Sequence, residues 1–264
     1  MEIIKKYLNN GQYITQEYVK DSIFLHHTAG TNAEGAWQWW NQTPERVGTP
    51  YIIDRNGKVV ECFDPKMWAF HLGLSSDDNY HEMHSINIEI VSAGQLYKEN
   101  GKYYFYPLYP NKQFFTIIPL EDVEILVTPW RGYSFYHKYT DAQIATLREL
   151  IPYIVKLFPN IKIQSPLGIF YEYDASVISL HKKGLFSHST IRMDKSDIFP
   201  QPNFLQALDE IAESLNKKPE PTFVPEPVKD VIPDPIPEPE IIPEPEAKPV
   251  PKAKPFHKTK RNKA

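Results

Sequence analysis

An abrupt change in composition after Asn216 limits the fold of this chain more than any other feature of its sequence. Thirteen of the 25 prolines lie between Pro219 and Pro255, and many of them are flanked by glutamate. Such a segment has too little apolar surface to bury, and its prolines favour an extended polyproline II conformation. We therefore predict one globular domain over residues 1–216 and a disordered, proline-rich tail over residues 217–264.

The charge balance also separates these two parts. Residues 217–264 contain ten Lys or Arg and eight Asp or Glu, with a basic end from Lys252 to Lys263. Because the whole chain has a formal net charge of −4, residues 1–216 carry −6. A mildly acidic domain is unsuited to the phosphate backbone of nucleic acids, so we expect no nucleic-acid partner.

The predicted domain has enough apolar residues for a sizeable core, since 41% of the chain is hydrophobic and 13% is aromatic. Its single cysteine, Cys62, excludes an intramolecular disulfide and a cysteine-based zinc cluster, and beside Phe63 we expect a buried thiol. No apolar run approaches the roughly 20 residues of a membrane span, and the first ten residues lack the apolar stretch of a secretory signal. We therefore expect a protein without a membrane span that is cytoplasmic as synthesised.

The first half of the chain is rich in strand signals. Residues 17–27 predict a short strand, and residues 51–61 predict a hairpin. In that hairpin, Asn56-Gly57 should supply the positive φ angles of a type I′ turn. A second Asn-Gly pair, at residues 100–101, lies between tyrosine-rich runs and predicts another hairpin.

A further strand is predicted over residues 85–91, where apolar and polar residues alternate as in a half-buried strand. Asn87 and Glu89 share one face of it, opposite three isoleucines. Residues 105–136 are aromatic and interrupted by prolines, and their pattern predicts an insertion without regular structure.

Helices are predicted over residues 33–41 and after Thr140, which forms a capping box with Gln143. We expect Pro152 to kink or interrupt this second helix. Beyond it, the pattern predicts a strand near residues 161–163.

The last predicted element of the domain is a helix over residues 204–215. Four apolar residues share one of its faces, and Asn203 is the candidate N-cap.

The run from His188 to Asp197 combines an imidazole, a lysine and a carboxylate, and it has no strong helix pattern. A loop can fold back so that these two residues meet, which is the arrangement that a zinc ion requires. A third protein ligand is needed, and the best candidates are His26 and His27, between which strand parity does not decide. The His-Glu-Met-His run at 81–84 is one residue short of the His-Glu-x-x-His zinc motif, so we predict loop residues there.

Several segments resemble, in the same order, motifs of the type 2 N-acetylmuramoyl-L-alanine amidases, which share their fold with the peptidoglycan recognition proteins. Together the segments span about residues 20–205. They are the His-His motif at 24–30, the hairpin at 51–60, Ala69–Gly73, Ser85–Ile90, Thr140–Gln143, and His188 with Lys195–Asp197.

The resemblance implies an α/β fold with a mixed central β-sheet flanked by helices, and a groove at one edge of the sheet. It implies that this groove holds a zinc ion, with peptidoglycan as the binding partner. The implied zinc ligands are His26, His188 and Asp197.

The same resemblance implies how the remaining residues act. The reaction is hydrolysis of the amide between N-acetylmuramic acid and the L-alanine of the stem peptide. Glu89 is the implied catalytic base, Lys195 the residue that stabilises the oxyanion, and His71 a residue that holds the substrate.

The chain departs from the family pattern at several positions. Ser187 and Asn87 each replace a glycine, and Ile198-Phe199 replaces Pro-Gly. Thr49 occupies the position where some members have a tyrosine near the metal, which leaves the strand glutamate as the only evident base.

Three functional classes remain as alternatives. The first is an enzyme, either a phage-type endolysin released to the cell wall through a holin or a cytoplasmic amidase that recycles anhydromuropeptides. The second is a peptidoglycan-binding protein without turnover, and the third is a virion or scaffold protein. In each, the simplest role of the tail is that of a solvated spacer, and contact with the cell wall or another protein is the alternative.

Overall fold

A six-stranded mixed β-sheet forms the centre of the computed structural model, which describes residues 1–74, 79–165, 167–168 and 170–217. One pair of neighbouring strands, Tyr51–Ile53 and Val59–Glu61, is antiparallel, and the other four pairs are parallel. The predicted mixed α/β fold is therefore confirmed. In spatial order the strands are β1 (Ile3–Lys5), β4 (Val59–Glu61), β3 (Tyr51–Ile53), β5 (Ser85–Ile90), β2 (Ser22–His27) and β11 (Gly184–Ser187).

The central strand β5 lies between β3 and β2, and its side chains alternate as the sequence predicts. Ile86, Ile88 and Ile90 belong to the main hydrophobic core. The prediction of a half-buried strand is wrong, because Asn87 on the opposite face is only 2% exposed. Both faces of the sheet are covered, and the polar face of β5 is available for a buried site.

The two Asn-Gly pairs form different turns. At the first, Gly57 N donates to Asp54 O, and only Gly57 has a positive φ, of 82°. The predicted type I′ turn is therefore wrong there. It occurs instead at Asn100 and Gly101, whose φ angles are 48° and 78°, between β6 (Tyr97–Glu99) and β7 (Lys102–Phe105).

Two predicted helices are present as α1 (Ala33–Trp40) and α3 (Asp141–Leu157). The capping box of α3 is confirmed, since the side chains of Thr140 and Gln143 each accept from the backbone amide of the other. Pro152 does not interrupt α3, which continues to Leu157. The packing of one buried helix face against the sheet outweighs the hydrogen bond that proline cannot make.

Three further sequence predictions are wrong. The segment 161–163 pairs with no strand, although Ile161 and Ile163 are buried. Asn203 is not a cap, because the last helix begins one residue earlier with a proline, which lacks one of the N–H donors that are unpaired at a helix start. His81 and His84 lie in a short helix and not in a loop. The helices not yet described are α2 (Tyr80–His84), α4 (Ala175–Ser179), α5 (His188–Ile191) and α6 (Pro202–Asn216).

Much of the predicted insertion has regular structure, so the prediction of a segment without it is wrong. A three-stranded sheet contains β6, β7 and β8 (Thr116–Ile118), and a 3₁₀ turn leads to the hairpin of β9 (Val123–Trp130) and β10 (Tyr133–His137). Aromatic cross-strand packing, as at Tyr103, gives this part a small core of its own. We use the name insertion for residues 95–137.

The predicted tail over 217–264 lies outside the described residues, apart from Lys217, so that boundary stays a prediction. The prediction of a buried thiol at Cys62 is confirmed, since the residue is fully buried. Within the described part of the chain, no helix combines the length and the apolar character required to cross a bilayer.

The two Asn-Gly turns provide a matched stability test. Alanine at either glycine must adopt a positive φ, which costs about 1–2 kcal/mol. A Cβ at Gly57 would lie 2.8 Å from Ala142 O and 2.9 Å from Thr146 Oγ1, whereas a Cβ at Gly101 meets nothing within 4 Å. We expect Gly57→Ala to lower the free energy of unfolding by a further ~1–3 kcal/mol relative to Gly101→Ala, measured by denaturant titration. Equal losses would show that the hairpin is not held against α3.

Candidate active site

The candidate site lies where three neighbouring parallel strands end. His26, near the end of β2, is paired across the sheet with Glu89 near the end of β5. On the other side of β2, the edge strand β11 ends at Ser187, so that His188 follows directly. The carboxyl ends of parallel strands are a common place for ligand sites, because the loops that follow them converge.

Three of the predicted residues meet in a buried cluster. His26 Nδ1 lies 3.1 Å from His188 Nδ1, and Asp197 Oδ2 lies 3.4 Å and 3.0 Å from these two atoms. All three residues are buried. Within the described ranges, no other group of three His, Cys, Asp or Glu side chains is placed to hold a metal ion.

The cluster fits zinc in both spacing and chemistry. Zinc bonds of 2.0–2.2 Å in a tetrahedron place neighbouring ligand atoms about 3.3 Å apart, close to the separations found here. His188 Nε2 donates to Leu72 O over 3.0 Å, which fixes the proton there and leaves the lone pair of Nδ1 directed at the cluster. Two neutral imidazoles and one carboxylate form a donor set that zinc accepts, with a fourth position left for water or substrate.

The charge of Asp197 is maintained in spite of its burial. Burial acts to raise the pKa of this carboxyl, but the imidazoles of His188 and His26 outweigh it, and the pKa lies well below the usual value. The carboxylate is therefore ionised near neutral pH and can act as an anionic ligand.

The second histidine of the pair has a different environment. His27 Nδ1 lies 3.2 Å from the hydroxyl of Tyr139, and a Cβ on Gly94 would approach His27 Nε2 to 2.6 Å. Burial lowers the pKa of His27 to about 4, so the ring is neutral. The structure thus places His26 in the cluster and His27 beside it, in the wall of the adjoining pocket.

Glu89 and Lys195 line this pocket of about 350 Å³, together with a short set of mostly polar residues. Burial raises the pKa of the Glu89 carboxyl to about 7, and the neighbouring His26 opposes that shift. Glu89 Oε2 is buried and has no hydrogen-bond partner among the described residues. The remaining lining residues are His26, His27, Ala29, His71, Gln95, His188, Asp194, Ser196 and Asp197.

His71 packs against the ring of His26, with a distance of 5.5 Å between ring centroids. Its side chain is only 3% exposed, and its Nε2 lies 2.6 Å from Asn87 Nδ2. Burial, together with the adjacent imidazoles, lowers the pKa of His71 well below its usual value. The backbone of this residue is held by Glu82, whose carboxylate accepts from the amides of His71 and Leu72.

A larger pocket of about 510 Å³ lies along the outer edge of β11. Its walls include Phe170, Phe186 and Lys182, and it contains no residue of the metal cluster. Pocket size therefore does not identify the reactive centre, whereas the convergence of ligand atoms does.

Sequence patterns missed several residues around the site. Gln95 accepts a hydrogen bond from Ser196 over 2.9 Å, and Tyr139 contacts His27. Glu82 lies in the His-Glu-Met-His run. It is buried, and its carboxylate accepts a hydrogen bond from the backbone amide of His71. Nothing in the local sequence indicates these contacts, because they join residues that are 11 to 112 positions apart in the chain.

Three solved structures illustrate what this chain is similar to. "Structure of PlyL" has a TM-score of 0.44 at 12% identity, covering 82% of this chain and 98% of that chain. The "Solution structure of the PlyG catalytic domain" has a TM-score of 0.47 at 12% identity, covering 83% and 100%. "N-acetylmuramoyl-L-alanine amidase LysC from Clostridium intestinale URNW" has a TM-score of 0.43 at 14% identity, covering 83% and 99%. Values this low do not by themselves establish a shared activity.

No curated protein sequence matches the chain significantly. The model of one family, described as N-acetylmuramoyl-L-alanine amidase, matches residues 16–198. That match covers well over half of the 264 residues and includes every residue of the metal cluster, and the chain therefore belongs to the N-acetylmuramoyl-L-alanine amidase family.

Proposed function

We propose that this protein is a zinc-dependent amidase that cleaves peptidoglycan between N-acetylmuramic acid and the L-alanine of the stem peptide. The observation that carries the proposal is the convergence of His26 Nδ1, His188 Nδ1 and Asp197 Oδ2 within 3.4 Å of one another. These three residues are the proposed zinc ligands. Bound there, zinc supplies a Lewis acid that lowers the pKa of a water molecule and polarises the scissile carbonyl.

The protein's own residues complete the proposed chemistry. Glu89, whose pKa is raised by burial to about 7, takes the proton from the attacking water and returns it to the leaving amine. Lys195 lines the same pocket and places a positive charge against the oxyanion as it develops. His71 lines the pocket beside His26 and is the proposed residue that holds the substrate.

The biological setting is a further part of the proposal. We propose a phage-type endolysin, which acts on the cell wall after release from the cytoplasm, because a long proline-rich tail suits an enzyme that works on an extended polymer. A recycling amidase would act on small anhydromuropeptides. A binding protein without turnover needs no catalytic base, and the presence of Glu89 beside a full set of ligands favours the enzyme.

Digestion of purified sacculi tests the function directly. An amidase releases new L-alanine amino termini without new reducing sugars. Binding to sacculi without these products would support the non-catalytic alternative. Rapid turnover of anhydromuropeptides with intact sacculi left uncut would support the recycling enzyme.

The ligand set predicts a metal stoichiometry. The purified protein should contain one zinc per chain, and a chelator should remove both the zinc and the activity. His188→Ala should abolish tight binding, because two remaining ligands hold zinc poorly. Elemental analysis after dialysis measures this.

The matched control for the ligand set is His27→Gln, which changes the neighbouring histidine outside the cluster. It should retain zinc. Full occupancy in His188→Ala, or loss of zinc only in His27→Gln, would reassign the ligands.

A second pair of variants separates catalysis from metal binding. Glu89→Gln cannot accept the proton of the attacking water, and general acid–base help is worth on the order of 10²–10⁴ in kcat. Lys195→Met loses the charge that faces the oxyanion, which should cost roughly 10²–10³ in kcat. Zinc content and melting temperature should change little in both. Normal turnover of a zinc-loaded Glu89→Gln protein would remove Glu89 from the mechanism.

A further inference from the structure

The segment from His188 to Phe199, called the ligand segment below, carries two of the three proposed zinc ligands. Beyond the single turn of α5 it contains no regular helix or strand. Within the segment, Ser189 N donates to Asp197 O over 2.6 Å, which draws its two ends together. A segment of this kind needs outside contacts to hold its ligand atoms within a few tenths of an ångström.

The insertion supplies the first of these contacts through Arg131, at the tip of the β9–β10 hairpin. The guanidinium donates from Nη2 to Ser189 O over 3.1 Å and from Nη1 to Met193 O. It also lies over the ring of Trp130, 5.4 Å from the centroid. The two acceptor carbonyls belong to residues four apart, so one planar side chain fixes both the start and the middle of the ligand segment.

Two further contacts from the insertion hold the other end of the ligand segment. Ser196, which precedes the ligand Asp197, donates to Gln95 Oε1 over 2.9 Å. Phe199 is fully buried between the rings of Tyr136 and Tyr139, at centroid distances of 4.4 Å and 4.7 Å and interplanar angles of 18°.

We propose that the insertion is a brace for the ligand segment, and that Arg131 is a positioning residue that sets how tightly the metal centre is held. This inference rests on the proposed function, because it assumes that His188 and Asp197 bind zinc. The physical reason is preorganisation. Residues that fix the ligands from outside the metal shell typically change metal affinity 10–100-fold when they are replaced.

Arg131 is the accessible test residue, because its acceptors are backbone carbonyls that no side-chain substitution removes. Arg131→Ala deletes both hydrogen bonds, whereas Arg131→Lys keeps the charge and can reach only one carbonyl at a time. Arg148→Ala is the matched control. Arg148 of α3 forms an exposed ion pair of 2.7 Å with Glu210 of α6, and neither residue belongs to the ligand segment.

Two measurements distinguish positioning from general stability. The first is the rate at which a chelator in excess removes zinc from the full-length protein. We expect Arg131→Ala to lose zinc 10–100-fold faster than the wild type, Arg131→Lys to be intermediate, and Arg148→Ala to be unchanged. The second is deuterium uptake of the ligand segment in the zinc-free protein, which should rise in Arg131→Ala while uptake of α3 stays the same.

Wild-type rates of zinc loss and of deuterium uptake in Arg131→Ala would overturn the brace. Faster uptake throughout the domain would also overturn it, because Arg131 would then stabilise the fold as a whole. A wild-type protein that binds no zinc would count against the proposed function instead. In that case the uptake of the ligand segment in the zinc-free protein still decides whether the insertion holds it.

Discussion

The parallel pairing of β2 between β5 and β11 is the interaction on which the rest of the structure depends. Its register sets His26 directly across from Glu89 and brings β11 to an end beside them. Because the three strands run in the same direction, their carboxyl ends deliver an imidazole, a carboxylate and the start of the ligand segment to one place. A shift of one residue in β2 would place Leu25 or His27 across from Glu89 and turn the ring of His26 to the other face of the sheet.

Burial shifts the pKa values of the site residues, and hydrogen bonds compensate for the free-energy cost of removing their polar groups from water. Polar groups taken out of water require partners, and most of them find one here. Leu72 O fixes the proton of His188, and Glu82 fixes the backbone of the adjoining loop. Glu89 Oε2, in the pocket beside the cluster, is buried without a hydrogen-bond partner among the described residues, so it keeps polar capacity for a ligand.

The insertion gives a reason for one departure from the family pattern. Where the family has Pro-Gly, this chain has Ile198-Phe199, and both residues are fully buried. The ring of Phe199 lies between two tyrosines, one of which, Tyr136, comes from the insertion. The Phe199 ring thus anchors this point of the chain by stacking on one tyrosine of the insertion and on one outside it.

The sequence by itself determined the family, the mixed α/β fold, most strands and helices, and the residues proposed for the site. These follow from local signals, such as the alternation of β5 or the capping box at Thr140, and from motifs in a fixed order. Residue spacing left His26 and His27 open, and the family resemblance implied His26. Only the tertiary structure showed His26 in the cluster, α3 continuing through Pro152, and the insertion in contact with the ligand segment. Each of these depends on contacts between residues far apart in the chain, which no local pattern records.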